Sequence, residues 1–178
     1  MQPEILLAKE AIEKYITEGR IISPQKDLPK RLLEKKSGVF VTIMEDKKLK
    51  GCIGTYLPTK SNIAEEIISN AIAAATEDFR FNPVSKEDLT LLSYTVSILN
   101  PPERVKDIKE LDPKLYGIIV KTFDEAEPYK TKKAGLLLPD LEGVNTIAKQ
   151  ISICCAKAGI DPKKEKLAIF RFTVEKYQ

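Results

Sequence analysis

The 178-residue chain contains no histidine and no tryptophan, and only three cysteines. The missing imidazole excludes Ser-His-Asp and Cys-His nucleophilic systems, zinc sites built on histidine, facial-triad iron and proximal-histidine haem within this chain. Any chemistry must rest on Cys, Lys, Asp, Glu, Tyr or Ser, or on a group from outside. Two of the cysteines, Cys154 and Cys155, are adjacent. A bridge between sequence neighbours is strained, so reduced thiols are expected, and no disulfide framework. No apolar run approaches the roughly 20 residues that span a bilayer, and the Met-Gln-Pro-Glu start has none of the parts of a signal peptide. A cytoplasmic location is expected.

Hydrophobic residues make up 43% of the chain and charged ones 31%, the balance of an ordinary globular protein rather than a disordered one. The net charge of +3 comes from 29 basic and 26 acidic side chains, a surface of mixed sign that argues weakly for nucleic acid. Basic runs at Lys47–Lys50, Lys130–Lys133 and Lys163–Lys166 fit solvated turns better than phosphate contacts. Plentiful Lys and Glu with sparse Asn and Gln suggest a thermophilic source. The length fits one cooperative unit, and residues 1–178 are expected to form a single domain.

Periodicity predicts a helix over Glu4–Glu18 with Ile5, Ala8, Ile12, Tyr15 and Ile16 on one face and Gly19 as its stop. A connecting segment with Pro24 and Pro29 follows, with one short helical turn. Strands are expected at Gly38–Met44 and Leu49–Leu57 across the polar turn Glu45–Lys48. A helix capped at Ser61 follows, with Ile63, Ile67, Ala71, Ala74 and Ala75 in register and Glu65 and Glu66 facing the helix dipole. Ser85–Asp88 resembles a capping box, and Ser93–Leu99, Gly117–Thr122, Ala134–Leu138 and Leu167–Val174 read as strands. Ile147, Ile151, Cys154 and Ala158 form a helical stripe ending at Gly159. The order is that of an α+β fold: a largely antiparallel sheet flanked by helices, with room for a smaller second lobe.

One stretch stands out for chemistry. In Leu49-Lys50-Gly51-Cys52-Ile53-Gly54-Thr55-Tyr56, strand alternation places Lys50, Cys52, Gly54 and Tyr56 on one face and Leu49, Gly51, Ile53 and Thr55 on the other. Two glycines within four residues of a strand mark a bulge or a close approach by ligand or backbone. Lys50 on the same face could favour the thiolate of Cys52, the form that attacks electrophiles. A small buried hydrophobe is the plainer reading of the same cysteine. The second cluster is Glu77-Asp78-Phe79-Arg80-Phe81, where Arg80 suits either a bound carboxylate or a structural pairing with Asp78 or Glu77. Cys154 and Cys155 lack the neighbours of a metal site and read as core.

Taken in order, these pieces resemble the AMMECR-one domain family, known in prokaryotes as AmmeMemoRadiSam system protein A. Its Leu-Arg-Gly-Cys-Ile-Gly signature matches Leu49–Gly54 with Lys50 in the Arg place, and its Asp-Pro-Arg-Phe element matches Asp78–Phe81 with Phe79 in the Pro place. Gly38–Thr42, Val96–Leu99, Gly135–Pro139, Lys157–Gly159 and Arg171-Phe172 extend the likeness over nearly the whole chain. The resemblance implies an AMMECR-one-like α+β fold with Gly51–Gly54 beside a cleft, and a pathway shared with Memo-like and radical-SAM proteins. It does not fix a reaction, so two functions stay open. The first is a small enzyme or enzyme-system component, with Cys52 as nucleophile, Lys50 biasing its ionisation, and Asp78 or Glu77 handling protons. Gly51, Ile53, Gly54, Thr55 and Arg80 would then hold the ligand. The second is an adaptor that binds a ligand or protein in the same cleft without catalysis. Neither needs a cofactor, and nucleic-acid binding ranks behind both.

Overall fold

In the computed structural model, which describes residues 2–123 and 133–178, the chain forms two compact units, Met1–Leu99 with Glu175–Gln178, and Asn100–Val174. The charged loop through Pro128 and most of the Lys130–Lys133 run lie outside the described residues.

The first unit holds α1 (Pro3–Glu18), α2 (Lys30–Glu34), α3 (Ile63–Thr76) and a four-stranded sheet. Its strands are β1 (Val39–Glu45), β2 (Lys48–Gly54), β3 (Leu92–Leu99) and β8 (Val174–Tyr177), in the order β2-β1-β3-β8. Pro3 opens α1 at a position where its missing N–H costs nothing, and Gly19 closes it in the left-handed region at φ 66°. Val39, Val41 and Ile43 alternate inward from β1 and are fully buried. They meet Ala64, Ile67, Ala71 and Ala74 of α3 and Ala8, Ala11 and Ile12 of α1 in one core. The alanines keep α3 thin enough to pack on α1, β1 and β2 at once.

Arg31 fastens the end of the chain to this unit. It pairs with the buried Glu4 of α1, reaches Glu175 at 3.6 Å, and stacks on the Tyr177 ring at 5.2 Å.

The second unit holds β4 (Glu103–Arg104), β5 (Gly117–Thr122), β6 (Ala134–Leu137), α4 (Ile147–Ala158) and β7 (Leu167–Phe172), with strand order β4-β7-β5-β6 and antiparallel pairings throughout. Ile118, Ile119 and Val120 of β5 are all buried, as expected of an interior strand covered on both faces. Cys154 and Cys155 of α4 join Ile118, Val120 and Leu137 in the core of this unit, Cys154 from its expected place in the apolar stripe. Burial pushes the Cys154 thiol up to about 12 and raises that of Cys155.

The expected α+β class holds, with the strands divided between two antiparallel four-stranded sheets. Several local expectations change. The hairpin turn is two residues, Asp46 and Lys47, both at positive φ, so the strands run closer to the turn than a four-residue loop allows. Strand β2 stops at Gly54 rather than Leu57. The cap of α3 is Asn62, whose side chain accepts from the Glu65 N–H at 2.9 Å, while Ser61 donates its own N–H to Glu65.

Candidate functional site

Strand β2 lies at the edge of its sheet, and its pairing with β1 carries an irregularity. Ile43 faces Gly51 while Met44 faces Leu49, which leaves Lys50 as the extra residue of a bulge. Simple alternation fails at that point. Cys52 opposes Thr42 and Leu49 opposes Met44, and both partners fall on the same face of β1, so Leu49 shares the face of Cys52 instead of opposing it. Gly51 and Ile53 turn to the core side with Ile43 and Val41.

The glycines answer to packing. A Cβ on Gly51 would overlap the backbone carbonyl oxygen of Ala74, so the bare α-carbon is what lets α3 lie on β2. A Cβ on Gly54 would strike the Phe40 ring and the Val39 carbonyl. The close approach expected from these glycines is made by the protein's own helix and strand.

Cys52 is half-buried, and its Sγ lies 3.2 Å from the Thr42 hydroxyl. Being on an edge strand, it turns its backbone N–H and C=O away from β1, and the second motif meets both. The Cys52 N–H donates to Asp78 Oδ2 at 2.9 Å, and Arg80 Nη2 donates to the Cys52 carbonyl at 3.3 Å. Arg80 is locked onto Asp78 by Nε to Oδ1 at 2.9 Å and Nη2 to Oδ2 at 2.7 Å, a planar fork that lysine could not make. The two motifs, separated in sequence by the whole of α3, therefore meet at one residue.

The Asp78 side chain is 5% exposed. The Arg80 fork holds its carboxyl down to about 2 against the opposing effect of burial, with help from the Cys52 and Arg80 N–H groups. Because its folded value lies below the ordinary 3.8, the carboxylate adds about 2 kcal/mol of stability above that pH, lost as pH falls through about 2. A group this firmly ionised and this fully bonded is a clamp and a poor proton carrier near neutrality.

Lys50 is committed elsewhere. Its ammonium lies 3.2 Å from both Asp88 and Glu45, and these partners, Asp88 first, raise its pKa. Glu77 is exposed and lines a groove of about 340 Å³ with Tyr15, Ile22, Ile68 and Ile72, whereas Asp78 is turned to the Cys52 edge. Thr55 gives its hydroxyl to Glu66 Oε1 at 2.6 Å, and Ile53 packs on the core.

Glu66 was missed as more than a dipole partner. It is fully buried and also accepts from the Thr59 N–H and hydroxyl and the Lys60 N–H at 2.7–2.9 Å, pinning the segment after β2 onto α3. Burial alone would raise its pKa, and these hydrogen bonds outweigh it and leave it lowered. Nothing in its spacing foretells this, because its partners precede the helix. Thr42 and Asp88 were likewise missed; only the cross-strand register and the fold of residues 82–91 bring them to Cys52 and Lys50.

Around the clamp the surface is open. Phe79 is 97% exposed, and the half-exposed Arg80 guanidinium stacks on Phe81 at 5.3 Å. Among the described residues no helix is long and apolar enough to cross a membrane.

Comparison with known proteins agrees with this fold. The sequence pattern of the AMMECR1 family matches residues 5–177, through both units. A protein of Thermotoga maritima is 49% identical over 99% of this chain and 97% of its own length. One from Clostridium acetobutylicum is 41% identical over 98% of this chain, which spans only 34% of that longer protein. The crystal structure of the uncharacterized protein PH0010 from Pyrococcus horikoshii superposes with a TM-score of 0.86 at 32% identity, covering 97% of this chain and 88% of that one. Relatives from thermophiles fit the composition. On the family match and these relatives together, the chain belongs to the AMMECR1 family.

Proposed function

We propose that this chain is a binding module whose recognition surface is the clamped edge of β2, with Phe79 and Arg80 as its contacts. The observation that carries the reading is the exposure of Phe79, 97%, on a turn held rigid by the Asp78–Arg80 fork. Exposed aromatic and arginine side chains on a preorganised backbone are the residue types that dominate binding energy at protein interfaces. The Clostridium relative, about a third of which this chain spans, supports a module working beside other sequence. Memo-like and radical-SAM proteins, which the family resemblance implies as pathway neighbours, are the first partners to try.

A reactive thiol at Cys52 is the second reading, favoured by its partial exposure and by the Thr42 hydroxyl at 3.2 Å. It wants a base. Asp78 is spent on the clamp and Lys50 on two carboxylates, so substrate or partner would have to take the proton.

The test is a photo-crosslinking residue placed at Phe79 in source cells, beside a control at the exposed Leu115 of the second unit. One discrete adduct from position 79, absent from 115 and lost with Arg80→Ala, is expected. No adduct, or the same products from both positions, contradicts the reading.

A further inference from the structure

Every open sheet must protect its outer strands, because unpaired N–H and C=O groups template pairing with another chain. The edges of this protein differ in how they meet that need. In the second unit β4 is two residues long, too short to template anything. The other edge there, β6, has four residues, and Lys157 donates to its Leu136 carbonyl at 2.9 Å. In the first unit β8 has four residues and carries the charged Glu175 and Lys176. The exception is β2, with seven residues, the longest edge strand among the described residues, and an uncharged end at Gly51-Cys52-Ile53-Gly54. Its nearest charge, Lys50, is neutralised by Glu45 and Asp88 and so repels little.

We infer that the Asp78–Arg80 fork is a strand-edge guard, filling the outward N–H and C=O of Cys52 so that β2 cannot pair with β2 of a second copy. The fork offers one acceptor and one donor to one residue, the same pair of bonds that a neighbouring strand would supply. Asp78 alone would satisfy the N–H and leave the carbonyl open; Arg80 alone would do the reverse. Their mutual bidentate bonds hold both in place. This inference shares Arg80 and the β2 edge with the binding reading above, but what it predicts, pairing of one copy with another, needs no partner protein and is read separately.

A guard of this kind predicts the geometry of its own failure. Two β2 strands pairing antiparallel about Cys52 would bring the two Cys52 residues opposite each other as a hydrogen-bonded pair, with Cα atoms about 5.5 Å apart. That separation is within the reach of a disulfide. Cys154→Ala with Cys155→Ala leaves Cys52 as the sole thiol. In that background, Asp78→Ala, Arg80→Ala and the milder Arg80→Lys are compared with the guarded parent sequence by sedimentation velocity and by mild copper-catalysed air oxidation. The guarded protein should stay unpaired through β2 and form no Cys52–Cys52 link. The variants should self-associate with a constant roughly tenfold or more higher, because each copy gains at least one unpaired edge group, and should then link through Cys52. Arg80→Lys reads the effect if the alanine variants lose their fold, since it keeps the positive charge and vacates the Cys52 carbonyl. Unchanged association in the folded variants, association without the Cys52 link, or a parent already linked through Cys52 would overturn the inference.

Discussion

The two units solve one packing problem in the same way and then part company. In the first, Gly51 of β2 lies under the Ala74 carbonyl of α3; in the second, Gly135 of β6 lies under the Cys154 carbonyl of α4. Each is an edge strand whose bare α-carbon receives a helix backbone. What differs is the cysteine. In the second unit it belongs to the helix and points into the core, where burial makes it inert. In the first it belongs to the strand, on the face away from the helix, with its backbone gripped by the ion pair of the buried Asp78 with the half-exposed Arg80. The glycine explains the fold in both units, so the motif around Cys52 cannot be explained by packing alone.

The comparison can be pressed first through the thiols. Native-state alkylation near pH 8 should modify the part-exposed Cys52 well before Cys154, which is fully buried and whose thiol, pushed up to about 12, is almost never ionised there. Mass mapping of single adducts reads this directly, and equal rates would erase the distinction between the units. The glycines come next. Gly51→Ala and Gly135→Ala should each cost about 3 kcal/mol or more in denaturant unfolding, because the obstructing atom is helix backbone that cannot swing aside. If only one of the two is costly, the shared device is not shared.

Much of this is legible in the sequence. The helices were found because α1 and α4 carry clean stripes and end at Gly19 and Gly159, whose positive φ only glycine adopts freely. The glycine-flanked strand and the charged aromatic cluster after α3 pick out Cys52, Asp78 and Arg80 in the sequence, and the family signature adds to that. What could not be read was long-range. The bulge at Lys50 shifts Leu49 to the face of Cys52, and a strand read by alternation gives no sign of where an extra residue enters. The burial of Glu66 depends on donors from residues 55–60 folding back over its helix. Strand alternation alone puts Lys50 beside Cys52, and says nothing of the partners that the fold supplies: Lys50 engages Glu45 and Asp88, Thr55 engages Glu66, and Glu77 lines a separate groove. For Arg80 the sequence leaves open a bound carboxylate or a structural pairing with Asp78 or Glu77, and the geometry pairs it with Asp78.

The central claim is that the fork satisfies the outward backbone of Cys52 on an otherwise open edge, and amide hydrogen exchange at that residue tests it most directly. The Cys52 amide should be protected to a degree comparable with that of Ile53. In Asp78→Ala its protection should fall by roughly a hundredfold while that of Ile53 is kept, since losing a hydrogen bond to a charged group costs about 2–3 kcal/mol. A Cys52 amide that already exchanges freely in the parent protein, or that is unmoved by Asp78→Ala, would contradict the account.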